Sequence, residues 1–222
     1  MEFQRRSDVA QDQRPEGLSM TLALWLLASY LLGAVPASYW LGRARGIDLR
    51  QVGSGNLGAT NLYRAAGWGA AIPAGLFDVA KGAVPVLVFG PRAGGGIWIP
   101  VLLGAAAVVG HVFSVFVAFK GGKGVATAAG AVLGIAPWAT LVSLGVWLLV
   151  LRLSGYVSLS SIIAAALLPV GIWLLHPVLR PSILMFVALG GFVVHTHRAN
   201  IQRLLSGTES RFGAGRRGGA AQ

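Results

Sequence analysis

Long apolar runs alternate with short polar connections along this chain of 222 residues. A helix needs about 20 predominantly apolar residues to cross the hydrocarbon core of a bilayer. The pattern predicts an all-α polytopic membrane protein with seven transmembrane helices, two of them short. The predicted spans are Leu18–Leu41, Trp68–Phe89, Ile97–Phe119, Val125–Ile135, Trp138–Leu153, Ser160–Leu175 and Pro181–His195.

The two short runs flank Pro137, and they can also be interpreted as one long helix, which would leave six spans. Basic residues favour cytoplasmic loops. They cluster at 43–64, at 120–123, at Arg152 and in the basic tail after Arg198. With seven spans every cluster faces the cytoplasm, whereas six spans force one cluster outward. We therefore expect seven spans, an external N-terminus, a cytoplasmic C-terminus and an outer hairpin at Pro137, because proline cannot continue a helix.

The composition narrows the class of protein further. The chain is 55% hydrophobic and 11% charged, whereas soluble domains carry about 25% charged residues. The absence of Cys excludes disulfides, thiolate metal sites and a Cys-linked acyl-enzyme. The net charge of +11 suits a lipid bilayer and anionic substrates. We expect no nucleic-acid partner, because the basic residues lie at helix ends rather than in one domain.

The domain organisation is simple in this interpretation. We expect one transmembrane domain at 18–209, with flexible tails at 1–17 and 210–222, the second of which is rich in Gly and Arg. No internal repeat is visible, and this argues against a transporter built from inverted repeats.

Three polar stretches interrupt the apolar pattern: Gly53–Asn61, Phe119–Thr127 and Gly155–Ser158. Each combines glycine backbone with hydroxyl, amide or ammonium donors, which is the chemistry that binds phosphate. The seven-span topology places all three stretches, together with the start of the C-terminal tail, at the cytoplasmic surface. The sequence therefore predicts a pocket for phosphorylated substrates there.

The first stretch offers several donors to an oxyanion. These candidates are Ser54, Asn56, Thr60, Asn61 and Arg64. Arginine can bind an oxyanion through two parallel hydrogen bonds. The alternative is an ordinary polar loop with a helix cap at Thr60 or Asn61.

The second stretch resembles a glycine-rich phosphate loop. Its candidates are Lys120, Gly121, Gly122, Lys123, Gly124 and Thr127. It is not a Walker loop, because Val117 occupies the first glycine position and a membrane helix precedes it. The alternative is a basic membrane anchor, but an anchor needs no glycines.

The remaining polar candidates are isolated along the chain. Ser158 is either a helix cap or a substrate contact. His111 is either a structural histidine or part of the site. Asp78 and Lys81 are three residues apart in one span, so we expect an ion pair that supports the site from behind.

The last candidates follow the final span. His197 and Asn200 are three residues apart, and they share a helix face that can point into the same cleft as the loops. Arg198 adds charge beside them, and Glu209 is expected to hold the tail through an arginine.

Taken together, these motifs resemble the bacterial acyl-phosphate-dependent glycerol-3-phosphate acyltransferases, the PlsY family. The resemblance runs in order from Leu18 to Glu209. It rests on Gly53–Asn61 with Arg64, Gly110-His111 through the Lys-Gly-Gly-Lys-Gly core to Thr127, Ser158, and the closing His197-Arg198-x-Asn200-Ile201-x-Arg203-Leu204-Leu205-x-Gly207-Thr208-Glu209.

The resemblance implies an inner-membrane enzyme with its active site facing the cytoplasm. It would transfer a fatty acyl group from acyl phosphate to glycerol 3-phosphate, giving 1-acyl-glycerol 3-phosphate (lysophosphatidic acid) and phosphate. An upstream enzyme that forms acyl phosphate is then a functional partner. No cofactor or metal is expected, because the cationic groups suffice and no carboxylate cluster exists.

The expected mechanism needs no covalent intermediate, since phosphate is already a good leaving group. Ser54, Lys123, His197 and Asn200 are the expected catalytic residues, and the other loop donors would bind phosphate. His197 or a substrate phosphate oxygen would take the proton. The rival interpretations are a carrier for phosphorylated metabolites, which needs polar lining through the whole bilayer, and a structural subunit, which leaves the glycine-rich loops unexplained.

Overall fold

The computed structural model describes residues 16–94 and 96–213, with side chains from residue 20 onward. Parts of the predicted tails, at 1–15 and 214–222, lie outside the described residues. Within these ranges the regular elements are all helical. The α-helices are α1 (Glu16–Ala34), α2 (Ala37–Arg43), α3 (Ala59–Ala66), α4 (Trp68–Val84), α5 (Trp98–Val112), α6 (Val125–Ile135), α7 (Pro137–Ser154), α8 (Val157–Leu175), α9 (Ile183–Thr196) and α10 (Arg198–Leu205).

Shorter helical turns extend several of these helices. A π-helical turn at Pro85–Phe89 and a 3₁₀ turn at Gly90–Arg92 prolong α4. Further 3₁₀ turns lie at Val115–Val117, after α5, and at Pro177–Ser182, before α9.

Six segments of the described chain are long and apolar enough to cross a membrane, and α6 is a shorter apolar helix. The six are Met20–Arg43, Trp68–Arg92, Trp98–Val117, Pro137–Ser154, Val157–Leu175 and Pro177–Thr196. The predicted all-α membrane fold is therefore confirmed. The helix after Pro137 has 18 residues and is not short, whereas α6 has 11. At 1.5 Å per residue α6 is about 16 Å long.

The first predicted span is interrupted at Pro36, where α1 ends and α2 begins. Proline has no amide hydrogen and its ring clashes with the preceding helical turn. The carbonyls freed there are satisfied from distant elements. Lys81 Nζ donates to the Val35 carbonyl at 2.8 Å, and the Ser114 hydroxyl donates to the Ala34 carbonyl.

Small residues let the membrane helices approach closely. The helix α1 packs on α5, α4 on α6, and α8 on both α7 and α9. A Cβ atom on Gly82 would collide with the Thr127 carbonyl, and one on Gly130 would collide with the Val79 carbonyl. The backbones of α4 and α6 are therefore in direct contact, as expected where van der Waals packing holds helices together in lipid.

Two apolar clusters fix the frame of the site. The larger one contains residues from all five helices from α5 through α9, among them the fully buried Val108, Ile172 and Phe186. The smaller one includes Leu49 and Leu62 and lies beneath the first polar stretch. This polar stretch is therefore anchored to the helices rather than suspended in solvent.

The connection between α6 and α7 lies at the opposite end of the bundle from the polar stretches. The Ala139 amide, in the first turn of α7, lies 3.4 Å from His176 Nε2 at the end of α8. Ser158, at the start of α8, belongs to the polar end. The predicted hairpin at Pro137 therefore exists.

Candidate active site

A single cavity of about 490 Å³ gathers side chains from all three polar stretches and from the segment after α9. The polar side chains at one end of it are Ser54, Asn56, Thr60, Asn61, Arg64, Asp78, His111, Lys123, Ser158, His197, Asn200 and Glu209, and Gly124 also borders it. The sequence prediction that these stretches converge agrees with this geometry.

Asn61 organises the first stretch instead of offering donors to a ligand. Its Nδ2 donates to the carbonyls of Leu49 and Val52, and its Oδ1 accepts from the Ser54 amide at 3.1 Å. The residue is buried, so these bonds use its polar atoms. Helix capping by Thr60 or Asn61 is wrong, because α3 begins after Gly58 without a side-chain cap. Asn61 borders the cavity, but its donors are engaged within the loop, so substrate binding by this residue stays a prediction.

Asn61 also explains a glycine of the loop. Gly53 has φ of +57°, and a Cβ atom there would collide with Asn61 Oδ1. Only glycine adopts such a conformation without strain. The hydroxyls of Ser54 and Thr60 and the guanidinium of Arg64 line the cavity from this wall.

Glycines of the second stretch serve a different purpose from the predicted one. The Gly121 amide donates to the Val112 carbonyl at 2.9 Å, and the Gly122 amide donates to the His111 carbonyl at 3.1 Å. A Cβ atom on Gly122 would collide with the His111 ring. The prediction that these two amides bind phosphate is therefore wrong, because they fold the loop back onto the end of α5.

Lys123 is the basic residue of this stretch that lines the cavity. The pKa of Lys123 is lowered from 10.5 to about 8, mainly by burial and also by the nearby charges of Arg203 and Arg64, against the opposing effect of Glu209. At pH 7 the ammonium group still carries its proton for most of the time. A partly desolvated cation is thus held at the polar end of the cavity, called here the mouth, where the three polar stretches meet the segment after α9.

His197 is held in one tautomer. Its Nδ1 lies 2.7 Å from the Val193 carbonyl, which only accepts hydrogen bonds, so Nδ1 carries the hydrogen. Burial lowers the pKa of His197 to about 4, although the bond to Val193 opposes this shift. The ring is therefore neutral at pH 7, and Nε2 keeps a free lone pair.

Glu209 contacts three side chains at the mouth, one on α8 and two on α10. Its Oε1 accepts from the Ser158 hydroxyl at 2.8 Å and from Asn200 Nδ2 at 2.7 Å, and its Oε2 accepts from Arg203 Nε at 2.6 Å. Burial alone would raise the pKa of Glu209, but these three hydrogen bonds together lower it. The expected contact with an arginine is present. Ser158 neither caps α8 nor has a free hydroxyl, since its hydrogen goes to Glu209.

Asp78, Lys81 and His111 form a buried group behind the mouth. Lys81 Nζ lies 2.7 Å from Asp78 Oδ1, and His111 Nδ1 lies 3.6 Å from the same oxygen. The predicted ion pair is present, and Lys81 faces away from the cavity towards the break at Pro36. His111 lines the cavity wall and supports the second stretch through its contact with Gly122.

Three further predicted binding residues lie outside the cavity lining. Lys120 and Arg198 are exposed. Thr127 is fully buried where α6 contacts α4, and its hydroxyl has no hydrogen-bond partner among the described residues. None of the three lines the cavity, so their role in substrate binding stays a prediction.

Beyond the polar mouth the cavity continues as an apolar groove. Its walls come mainly from α6, α7 and α8, and include Leu133, Leu144 and Trp147. Leu133 and Leu144 are 41% and 49% exposed, so the groove opens sideways between the helices towards lipid. Trp147 Nε1 donates to the Ser161 hydroxyl at 3.1 Å, which satisfies the indole N–H in the wall.

Sequence reasoning missed the contacts that orient the site. The single hydrogen of the Thr196 hydroxyl is shared between the Val193 carbonyl at 2.7 Å and the Lys123 carbonyl at 3.0 Å, and the second of these contacts links α9 to the second stretch. The Val193 carbonyl sets the tautomer of His197. The contact between Thr196 and Lys123 joins residues 73 positions apart, and no sequence motif predicts it. The contact between His197 and Val193 follows from the i, i+4 spacing of a helix.

Among the described residues, no group of three or more His, Cys, Asp or Glu side chains is placed to hold a metal ion.

Residues 23–207 match the family model described as glycerol-3-phosphate acyltransferase. Similar proteins of that name occur in several bacteria. The relative from Chlorobaculum parvum is 41% identical, over 89% of this chain and 99% of its own length. The relative from Synechococcus sp. (strain JA-3-3Ab) is 46% identical, over 90% and 96%. The relative from Trichlorobacter lovleyi is 45% identical, over 88% and 100%.

Two solved structures share this fold. One is the glycerol 3-phosphate form of PlsY, an integral membrane glycerol 3-phosphate acyltransferase, with a TM-score of 0.81 and 38% identity over 86% of this chain and 96% of that one. The other is the lysophosphatidic acid form of PlsY, with a TM-score of 0.79 and 36% identity over 86% and 95%. This chain therefore belongs to the PlsY family of glycerol-3-phosphate acyltransferases.

Proposed function

We propose that this protein transfers a fatty acyl group from acyl phosphate to glycerol 3-phosphate. The products are 1-acyl-glycerol 3-phosphate and inorganic phosphate. The carbonyl carbon of the donor forms a bond to the glycerol oxygen, and its bond to the phosphate oxygen breaks. An enzyme that activates fatty acids as acyl phosphates must supply the donor.

The continuity of the cavity carries this proposal. A mouth with cationic and hydroxyl groups leads directly into an apolar groove between helices. An acyl phosphate has this same division, with a charged head and an alkyl chain. The related PlsY structures in glycerol 3-phosphate and lysophosphatidic acid forms support the acceptor and the product.

The mouth offers a set of donors for two phosphate groups. Lys123 and Arg64 supply charge, while Ser54, Asn56 and Thr60 supply neutral donors. In a partly desolvated site such groups stabilise the charge that develops in the transition state without having to reorganise. Lys123 is assigned to the reacting phosphoanhydride because burial already strips it of part of its hydration.

His197 is assigned as the general base. Its neutral ring and its fixed tautomer leave Nε2 able to take the proton from the attacking hydroxyl. Asn200 is held by Glu209 through its Nδ2, and its buried Oδ1 has no partner among the described residues, so it can accept from an acceptor hydroxyl. A phosphate oxygen of the substrate is the competing proton acceptor.

The mouth is assigned to the cytoplasmic side of a bacterial inner membrane. The support comes from the distribution of charge, since the connections at the mouth carry most of the Arg and Lys residues. Among the described residues, the opposite end has Arg92 and Arg180, and both donate to backbone carbonyls.

Purified protein in detergent, mixed with acyl phosphate and glycerol 3-phosphate, tests the function. We expect equal amounts of released phosphate and acylated product, and neither product with Lys123→Ala or Ser54→Ala. Acyl thioesters, offered in place of acyl phosphate, should give no product. A carrier would instead exchange labelled glycerol 3-phosphate across vesicles without chemistry, and that result would overturn the proposal.

A further inference from the structure

The residues Ser210–Phe212, called here the clasp, follow Glu209 and lie beyond residue 207, where the match to the family model ends. The clasp contacts elements on two sides of the mouth. On one side lies the turn between α7 and α8, and on the other side lie α3 and the start of α4. The acyltransferase chemistry proposed above uses none of its side chains.

Two contacts hold the clasp to the turn before α8. The Phe212 amide donates to the Gly155 carbonyl at 2.7 Å. Arg211 Nε donates to the Tyr156 hydroxyl at 3.3 Å, and the guanidinium lies 5.4 Å from the centre of the Tyr156 ring. The backbone of the clasp is thereby fixed relative to α8.

The ring of Phe212 fixes the other side. It stacks on Tyr63 at 5.2 Å between ring centres and meets Trp68 edge-on at 5.9 Å. Tyr63 and Trp68 are themselves in ring contact at 4.2 Å. Aromatic pairs at these separations attract one another. The clasp therefore connects the turn before α8 to the segment that holds Tyr63 and Trp68, about 90 residues earlier in the sequence.

The clasp also contacts a cation of the site. Arg64 Nη2 donates to the Ser210 carbonyl at 3.2 Å, one residue after Glu209. Arg64 lines the cavity, and the carbonyl restricts the position of its flexible side chain. A side chain that is ordered before binding loses less conformational entropy when the ligand arrives.

We propose that Phe212 is a positioning residue that holds the clasp across the mouth and thereby orients Arg64 towards the phosphate of glycerol 3-phosphate. The inference rests on the proposed use of Arg64 as a phosphate ligand. It assigns a role in acceptor binding to a residue outside the recognised motifs. Phe212 acts through Arg64 and does not touch the reacting atoms.

Steady-state kinetics of Phe212→Ala and Phe212→Tyr, with Leu205→Ala as a control, test the proposal. Leu205 lies at the same end of the protein and is 84% exposed. We expect Phe212→Ala to raise the KM for glycerol 3-phosphate about tenfold, which is about 1.4 kcal/mol. The KM for acyl phosphate and kcat should stay within about twofold. Phe212→Tyr keeps the ring and should restore the KM, and Leu205→Ala should match the wild type.

A double-mutant cycle separates positioning from general damage. In an Arg64→Ala background, Phe212→Ala should cause no further rise in KM, because its effect is transmitted through the missing guanidinium. Additive effects, or an unchanged KM in the single variant, would overturn the proposal. If Phe212→Ala cannot be purified, Phe212→Leu takes its place in the same cycle.

Calorimetric binding of glycerol 3-phosphate, with no acyl donor present, separates this inference from the proposed function. Weaker binding by Phe212→Ala supports the clasp even if acyl phosphate is not the donor. Equal binding by wild type and variant contradicts the clasp even if the donor assignment is correct.

Discussion

Deprotonation of Lys123 should lower the kcat/KM of the enzyme at alkaline pH. The Lys123 pKa of about 8 means that the ammonium form makes up about 90% of the population at pH 7 and about 10% at pH 9. If only the charged form stabilises the reacting phosphoanhydride, kcat/KM should fall about tenfold between these two values. The loss should follow a single deprotonation near pH 8, since phosphate groups with a second pKa near 6 are already ionised there.

Replacement by arginine gives the matched test. Lys123→Arg keeps a positive charge at every pH used, so its absolute rate should drop through altered geometry while the alkaline limb disappears. Lys120→Arg is the control, because Lys120 is exposed and outside the cavity lining, and it should keep the wild-type limb.

Phosphate release, corrected for spontaneous hydrolysis of acyl phosphate at each pH, measures the profile. The limb in kcat/KM reports groups of the free enzyme. An identical limb in Lys123→Arg, or a wild-type rate that stays flat to pH 10, would refute the assignment of Lys123.

Three further predictions follow from the same geometry. Gly53→Ala should reduce kcat/KM at least tenfold, because the new Cβ collides with Asn61 Oδ1, while Gly69→Ala, with open space around it, should be silent in the same assay. The lowered pKa of His197 means that the unfolded chain binds this proton more tightly, so stability is kept above pH 6.5 and lost as the pH falls towards 4. Between pH 7.5 and 5 this loss is about 2 kcal/mol, and thermal unfolding in detergent should show a smaller pH effect in His197→Gln. Leu144→Trp should fill the apolar groove and slow turnover of long acyl phosphates more than short ones, and equal slowing across a chain-length series would contradict this use of the groove.

The architecture was accessible from sequence because apolar length and charge asymmetry are strong, local signals. The short helix before Pro137 and the meeting of the three polar stretches both followed from them. The break at Pro36 was missed, since hydropathy does not register that a proline divides an apolar run. The carbonyls at the end of α1 accept hydrogen bonds from Lys81 and Ser114, and these contacts could not be predicted because the residues are far apart in sequence.

The division of labour among the polar residues could not be predicted in the same way. Composition marks Asn61 and Gly122 as donors for phosphate, but a donor can serve the fold as well as a ligand. Asn61 forms its hydrogen bonds within its own loop, and the Gly122 amide donates to a carbonyl of α5. Only the three-dimensional path of the backbone distinguishes these uses.

The clasp is a second feature that composition did not predict. The sequence suggested a flexible tail from residue 210, yet Phe212 is held by Gly155, Tyr63 and Trp68. The rest of this tail is rich in Gly and Arg, and this composition gives no sign of the three contacts made by Phe212.

Sided labelling of single cysteines tests the central claim most directly, because the chain contains no cysteine of its own. Lys120→Cys and Arg198→Cys lie at the end that carries the mouth, and Arg180→Cys lies at the other end. With a membrane-impermeant reagent, we predict that the first two react in inside-out vesicles only and that the third reacts in right-side-out vesicles only. Labelling of Lys120→Cys and Arg198→Cys from opposite sides would contradict a single cytoplasmic mouth for both substrates.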